Sequence, residues 1–209
     1  MYLPPEFRIE DRVPLHRLME RSSFAVLITV EDGQPLVSHL PLLLDPHRGE
    51  NGTLLGHVAR ANNHWRAFDH GVEALAIFQG EHGYISPSWY ETHPSVPTWN
   101  YQVVHAHGVP RVVDDEAGKR GILSRLVEKY ESGFDVPWPM DLPEAYFKSM
   151  LAQIVAFEMP ISRLEGKFKL NQNRSRTDQE RVAATLAASA EPADQALAAA
   201  MRRALAIDD

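Results

Sequence analysis

The sequence predicts a mainly β fold: a small antiparallel barrel with peripheral helices and a helical C-terminal tail. Three observations predict it. Short β-branched, apolar runs separated by turn residues fill the first half of the chain. Helical periodicity is confined to a few segments, so the regular strand–helix alternation of a doubly wound sheet is missing. The last thirty or so residues are rich in alanine and change character altogether.

The first run, "FAVLITV" (24–30), is followed by "EDGQP" (31–35), whose Asp-Gly pair signals a tight hairpin turn. "LVSHLPLLLD" (36–45) is the return strand, and Pro41 assigns it to an edge or a bulge. After the turn "HRGENG", the stretch "TLLGHVA" (53–59) reads as a third strand. "ANNHWRAF" (61–68) predicts a short helix capped by Asn62 or Asn63. "VEALAIFQG" (72–80) is a fourth strand, and "FQGEHGYISPSWY" (78–90) a shaped loop after it. "PTWNYQVVHAHGVPRVV" (97–113) is long and extended with a period of two. "DDEAGKRGILSRLVEKYES" (114–132) opens on two aspartates at an N-cap and carries Ile122, Leu123, Leu126 and Tyr130 at helical spacing. "AQIVAFEMPISRLEGKFKL" (152–170) returns to strands. Thr177 and Glu180 then match a capping box, and the helix behind them breaks near Glu191-Pro192 before Leu197, Met201 and Leu205 resume it. The expected division is residues 1–176 as the barrel domain and 177–209 as a helical appendage of the same domain.

Composition narrows the function. The 209 residues are enough for one large domain, with 44% hydrophobic and 23% charged residues. The net charge of −7 provides no global basic field for nucleic acid or anionic membrane, so any such contact needs a local patch. The absence of cysteine excludes disulfides and thiolate chemistry and fits a reducing cytoplasm, where the protein is expected to reside. The start "MYLPPEFRIEDRVPLHRLMERSS" offers no apolar core for a signal peptide, and no apolar run approaches the roughly 20 residues of a membrane span.

Four stretches carry candidate chemistry. In "GKFKLNQNRSRTDQERV" (166–182), a strand through Lys167-Phe168-Lys169-Leu170 sets both lysines on one face, where they repel each other unless an anion or water lies between them. The same pattern also fits an edge strand that uses lysine against aggregation. "GHVARANNHWRAF" (56–68) places Arg60 and the amides of Asn62 and Asn63 at a helix start, which suits an anion as well as plain capping. On 98–107, Thr98, Asn100 and Gln102 share one strand face and Trp99, Tyr101, Val103, His105 and His107 the other. The amide face is dressed for hydrogen bonding. The His105–His107 pair lacks a third ligand at a recognisable spacing, so no metal is expected. Tyr84, Trp89 and Tyr90 fit a wall for a planar ligand, or equally a core or dimer contact. No glycine-rich phosphate loop occurs, so a bound phosphate would have to be held by side chains.

Taken together, "MYLPPEFRIED", "GHVARANNHW", "FQGEHGYISPSWY", "VPTWNYQVVHAHG" and "GKFKLNQNRS" resemble the PaiB family of FMN-binding negative transcriptional regulators over almost the whole chain. The resemblance implies a split β-barrel of the pyridoxamine-phosphate-oxidase type and a homodimer with FMN held at the interface between subunits. It assigns His57, Val58, Ala59, Arg60, Ala61 and Asn62 to flavin and phosphate. Thr98, Trp99 and Asn100 would come from a neighbouring strand system, and Lys167, Lys169, Gln172 and Asn173 would close the site. One departure is Asn63, which stands where the family pattern has a proline.

Three functions stay open at this point. The first is an FMN-binding regulator that represses transcription through DNA or a regulatory protein partner. The acidic balance is awkward for it, and only Arg202 and Arg203 mark a basic spot on the tail helices. The second is a flavin reductase or oxidase, although no residue is an obvious acid or base. The third is a heme-handling split barrel with His105 or His107 as the axial ligand.

Overall fold

The computed structural model describes residues 1–207. Among them are nine strands and six α-helices. The strands are β1 (Arg8–Ile9), β2 (Phe24–Glu31), β3 (Gln34–Pro41), β4 (Leu43–Asp45), β5 (Thr53–Ala59), β6 (Ala74–Ile85), β7 (Thr98–Gly108), β8 (Arg111–Val113) and β9 (Ile154–Lys169). The helices are α1 (Arg12–Arg21), α2 (Arg66–Asp69), α3 (Glu116–Glu131), α4 (Glu144–Leu151), α5 (Arg176–Ala187) and α6 (Pro192–Ile207). Hydrogen bonding follows the order β3-β2-β6-β7-β9-β5-β4, with β1 and β8 each pairing with β9. The predicted mainly β antiparallel class, with peripheral and C-terminal helices, is what forms. No described helix is long and apolar enough to cross a membrane.

The chain divides into two compact units. One contains Ser22–Phe78 and His105–Leu164. Its first hairpin pairs Glu31 with Gln34 across Asp32 and Gly33, at φ of 49° and 75°. Positive φ at both central residues is the geometry that Asp-Gly supplies. The predicted return strand splits at Leu42, whose N–H donates to Ser23 O instead of continuing the ladder. Pro41 thus ends β3, which lies at one end of the strand order. In α3, Asp115 caps by accepting from Gly118 N at 2.7 Å, and Ile122 and Leu126 join Leu43, Leu55 and Ala156 in a buried cluster. Helix α4, with Phe147 and Leu151 buried, was not expected from sequence.

The other unit contains Met1–Arg21, Gln79–Val104 and the chain from Glu165 onward. Two readings change here. The loop expected over 78–90 is strand as far as Ile85. Its glycines sit at close approaches: a Cβ on Gly80 would lie 2.7 Å from Leu18 Cδ1, and one on Gly83 2.9 Å from Leu197 Cδ2, so those leucine tips would have to shift. Helix α5 begins at Arg176, before the expected capping box. Ser175 is its cap, accepting from Asp178 N at 3.2 Å, and Glu180 pairs with Arg176 instead. Asp178 turns its carboxylate to the loop after β6, accepting from Glu91 N at 2.7 Å and Thr92 N at 3.3 Å. The break before Pro192 forms as expected, and Leu197 and Met201 of α6 are buried.

Candidate functional site

In the first unit the candidate residues lie at the end of β5 and in the turn after it. His57 is half-buried, its Nδ1 is buried with no hydrogen-bond partner among the described residues, and burial pushes its imidazole pKa down. Val58 is buried, and Ala59 accepts from Asn62 N at 2.8 Å. The exposed Arg60 uses its fork on backbone: Nε donates to Ala152 O at 2.9 Å and Nη2 to Ile154 O at 3.2 Å. Its own N–H donates to Gln153 O, and its carbonyl accepts from the Trp65 indole at 3.1 Å. Ala61 is exposed at the tip. Asn62 is the cap: Oδ1 accepts from His64 N at 3.1 Å, and Nδ2 donates to Ser38 Oγ at 3.0 Å. A 3-10 turn (Asn63–Trp65) comes next, and then the single-turn α2, shorter than the helix expected.

In the second unit β9 sets Lys167 and Lys169 beside β7. Strand β9 is interior to the sheet, so the edge-strand reading of the lysines does not hold. Lys167 is only 6% exposed; its ammonium donates to Tyr2 O at 3.1 Å and lies over the rings of Tyr2 and Tyr101. Lys169 Nζ donates to Thr98 Oγ1 and to Trp99 O, the latter at 2.7 Å. Burial pushes its pKa down, and the charges of Lys167 and Arg174 push it further down. Arg174 stacks on Tyr90 at 4.5 Å and donates to Ser95 Oγ at 3.3 Å. None of the three cations makes an ion pair with a carboxylate among the described residues. Gln172 closes the bend after β9, accepting from Leu170 N and donating to Phe168 O, while Asn173 is exposed.

The amide face of β7 is the buried one. Asn100 is fully buried, with Nδ2 on Met201 Sδ at 3.5 Å and Oδ1 unpartnered; Gln102 accepts from Arg21. On the opposite face Trp99 is 56% exposed and meets Tyr84 edge-on at 6.0 Å. Tyr90 is buried, bonded by Asn171 Nδ2. Arg163 Nη2 lies 3.0 Å from His107 Nδ1. The structure joins Lys169 to Thr98 and Trp99, and gathers His57 to Asn62 on a separate unit. Sequence reasoning passed over Arg174, though it is the third cation within eight residues, and over His64, whose role depends on distant hydroxyls.

Residues 1–163 match a family model described as "Putative FMN-binding domain". The chain is 36% identical over 180 residues to protease synthase and sporulation protein PAI 2 of Bacillus subtilis, covering 85% of each. The chain belongs to this FMN-binding family. The PaiB resemblance is thus confirmed, and so is FMN as the group the family's domain binds. Among solved structures, the FAD and heme binding protein of Mycobacterium smegmatis aligns with a TM-score of 0.61 at 18% identity, covering 82% of this chain and 78% of its own. Flavocytochrome Anf3 of Azotobacter vinelandii aligns at 0.57 and 13%, covering 78% and 69%. These likenesses show the flavin-type split-barrel fold.

Proposed function

We propose that this protein is an FMN-dependent regulator in which Lys169 serves the cofactor's phosphate. One observation carries the reading: three cations are gathered on the β7–β9 side of their unit, and the nearest groups to Lys169 are a hydroxyl and a carbonyl, not an acid. A desolvated ammonium beside two like charges is unfavourable without an anion, and a phosphate relieves both terms at once. The turn from His57 to Asn62 keeps its assignment to the cofactor on the family resemblance, with Arg60 directed to phosphate through the donors its backbone contacts leave free. Bound FMN supplies a redox-active ring; the exposed face of Trp99, with Tyr84 edge-on to it, offers that ring an apolar surface.

The homodimer belongs to the same reading. Its support is the exposed apolar surface left on each unit: Trp99 and Tyr84 on one, Phe24, Val30 and Val37 of the β2–β3 hairpin on the other. A regulatory role is supported by the relationship to the Bacillus protein. Repression in the cytoplasm would act through DNA or a protein partner, with residues 177–209 as an appendage of the 1–176 domain.

The test is a spectrum of freshly purified protein, then flavin-fluorescence titration with FMN and riboflavin, then a gel shift on the gene's own upstream DNA with and without FMN. FMN binding tighter than riboflavin, with an FMN-dependent shift, is the expected result. Rapid anaerobic bleaching of bound flavin by NADPH, with turnover on an added acceptor, would replace regulation with oxidoreductase activity.

A further inference from the structure

The turn assigned to the cofactor is held by a buried polar chain that no catalytic or binding role yet explains. His64 is 3% exposed, Thr29 1% and Ser38 7%. Ser38 Oγ lies 2.8 Å from His64 Nδ1, and Thr29 Oγ1 lies 3.0 Å from Nε2. Asn62 Nδ2 donates to the same Ser38 oxygen, and Asn62 Oδ1 accepts the His64 backbone N–H. The donors and acceptors run in one direction. Asn62 donates to Ser38, so the Ser38 proton is free to go to Nδ1; Nε2 then carries the ring proton and donates to Thr29. A neutral imidazole in this tautomer pairs both ring nitrogens, and burial favours the neutral form. The Asn62 amide thus commits its oxygen and one of its two N–H donors to the network.

We propose that His64 is a positioning residue for the cofactor-binding turn: acting through Ser38, it fixes the Asn62 side chain as a strut that holds Arg60 and Ala61 in place. The inference rests on the assignment of that turn to FMN. It changes the role of Asn62 from a cofactor contact to a support. Strands β2 and β3 supply Thr29 and Ser38, so the first hairpin of the chain governs the geometry of a turn more than twenty residues further on.

FMN and riboflavin affinities, read by flavin fluorescence on intact protein, test it in four variants. His64→Leu removes the ring's hydrogen bonds; it should weaken FMN by about three- to tenfold and riboflavin by clearly less. Ser38→Ala, which deletes one oxygen, should reproduce that selective loss, and it carries the test if His64→Leu does not fold. His64→Gln can accept from Ser38 and donate to Thr29, so it should restore most of the FMN affinity. A folded Ser38→Ala protein that keeps wild-type affinity for FMN overturns the proposal, as does an equal loss for both flavins. The fourth variant separates the two ideas. If Arg60→Ala leaves the preference for FMN over riboflavin intact, the assignment of the turn itself fails; if Arg60→Ala lowers it while Ser38→Ala does not, only the positioning role fails.

Discussion

Replacing Lys169 by methionine is the sharpest probe of the cation cluster. The change keeps the aliphatic stem but removes the donor that now contacts Thr98 Oγ1 and, at 2.7 Å, Trp99 O. Without ligand, two effects oppose each other. The lost hydrogen bonds cost about 0.5–1.5 kcal/mol each, whereas desolvation and repulsion by Lys167 and Arg174 disappear with the charge. The apo protein should therefore melt close to wild type. With FMN only the loss remains. A charge-assisted hydrogen bond to phosphate is worth about 1.5–3 kcal/mol, so FMN should bind roughly ten- to a hundredfold more weakly. Riboflavin, which has no phosphate, should be almost unaffected. Paired titrations and thermal melts of apo and loaded protein decide the matter. Equal weakening of both flavins would assign Lys169 to the ring or the fold. No weakening of either, in a folded variant, would refute the phosphate argument.

Three further outcomes are expected. FMN should bind more tightly than FAD, since the proposed phosphate cradle is made of side chains and the sequence has no dinucleotide fingerprint; equal affinities in the same titration would count against the cradle. Light scattering at micromolar concentration should give the mass of a dimer, and a monomeric mass would remove the homodimer from the proposal. Acid should destabilise the protein by two routes. Burial alone pushes the Asp178 carboxyl up, but hydrogen bonds from Glu91, Thr92 and Ser175 outweigh it and hold the pKa below the usual carboxylate value. Its contribution is present above the unfolded pKa and is lost as pH falls through the folded one. His64 is depressed by burial, so on acidification the unfolded chain takes up a proton first, from about pH 6.5 downward, and stability falls. Melts from neutral to mildly acidic pH should show a shallower loss in His64→Gln, and Asp178→Asn should flatten the more acidic limb; unchanged pH profiles would refute these assignments.

What the sequence revealed were features fixed by neighbours along the chain. The Asp32-Gly33 turn, the caps at Asn62 and Asp115, the break before Pro192 and the alternation of Lys167 with Phe168 all depend on residues within a few positions. What stayed hidden depended on distant partners. Gly80 and Gly83 look like loop residues, but in the fold they are strand positions that Leu18 and Leu197 approach closely. Lys167 has no local signal for burial, because the carbonyl that receives its ammonium belongs to Tyr2. Helix α1 was missed because only Leu15, Leu18 and Met19 are buried in a segment crowded with charge. In the candidate site, residue types were legible but orientation was not: the amides of Asn100 and Gln102 turn inward, and Asn62 spends its side chain on its own neighbours.

The directional chain through Ser38, His64 and Thr29 also turns one imidazole proton into a gauge of local opening. The sequence contains ten histidines, and the Nε2 proton of His64 is shut off from solvent behind two hydroxyls. Exchange of such a proton with water requires the hairpin to part from the turn, so its lifetime measures how often that happens. With nitrogen-15-labelled histidine, a single slowly exchanging ring signal would report that opening directly. Its retardation on adding FMN would show that the cofactor tightens the contact between hairpin and turn.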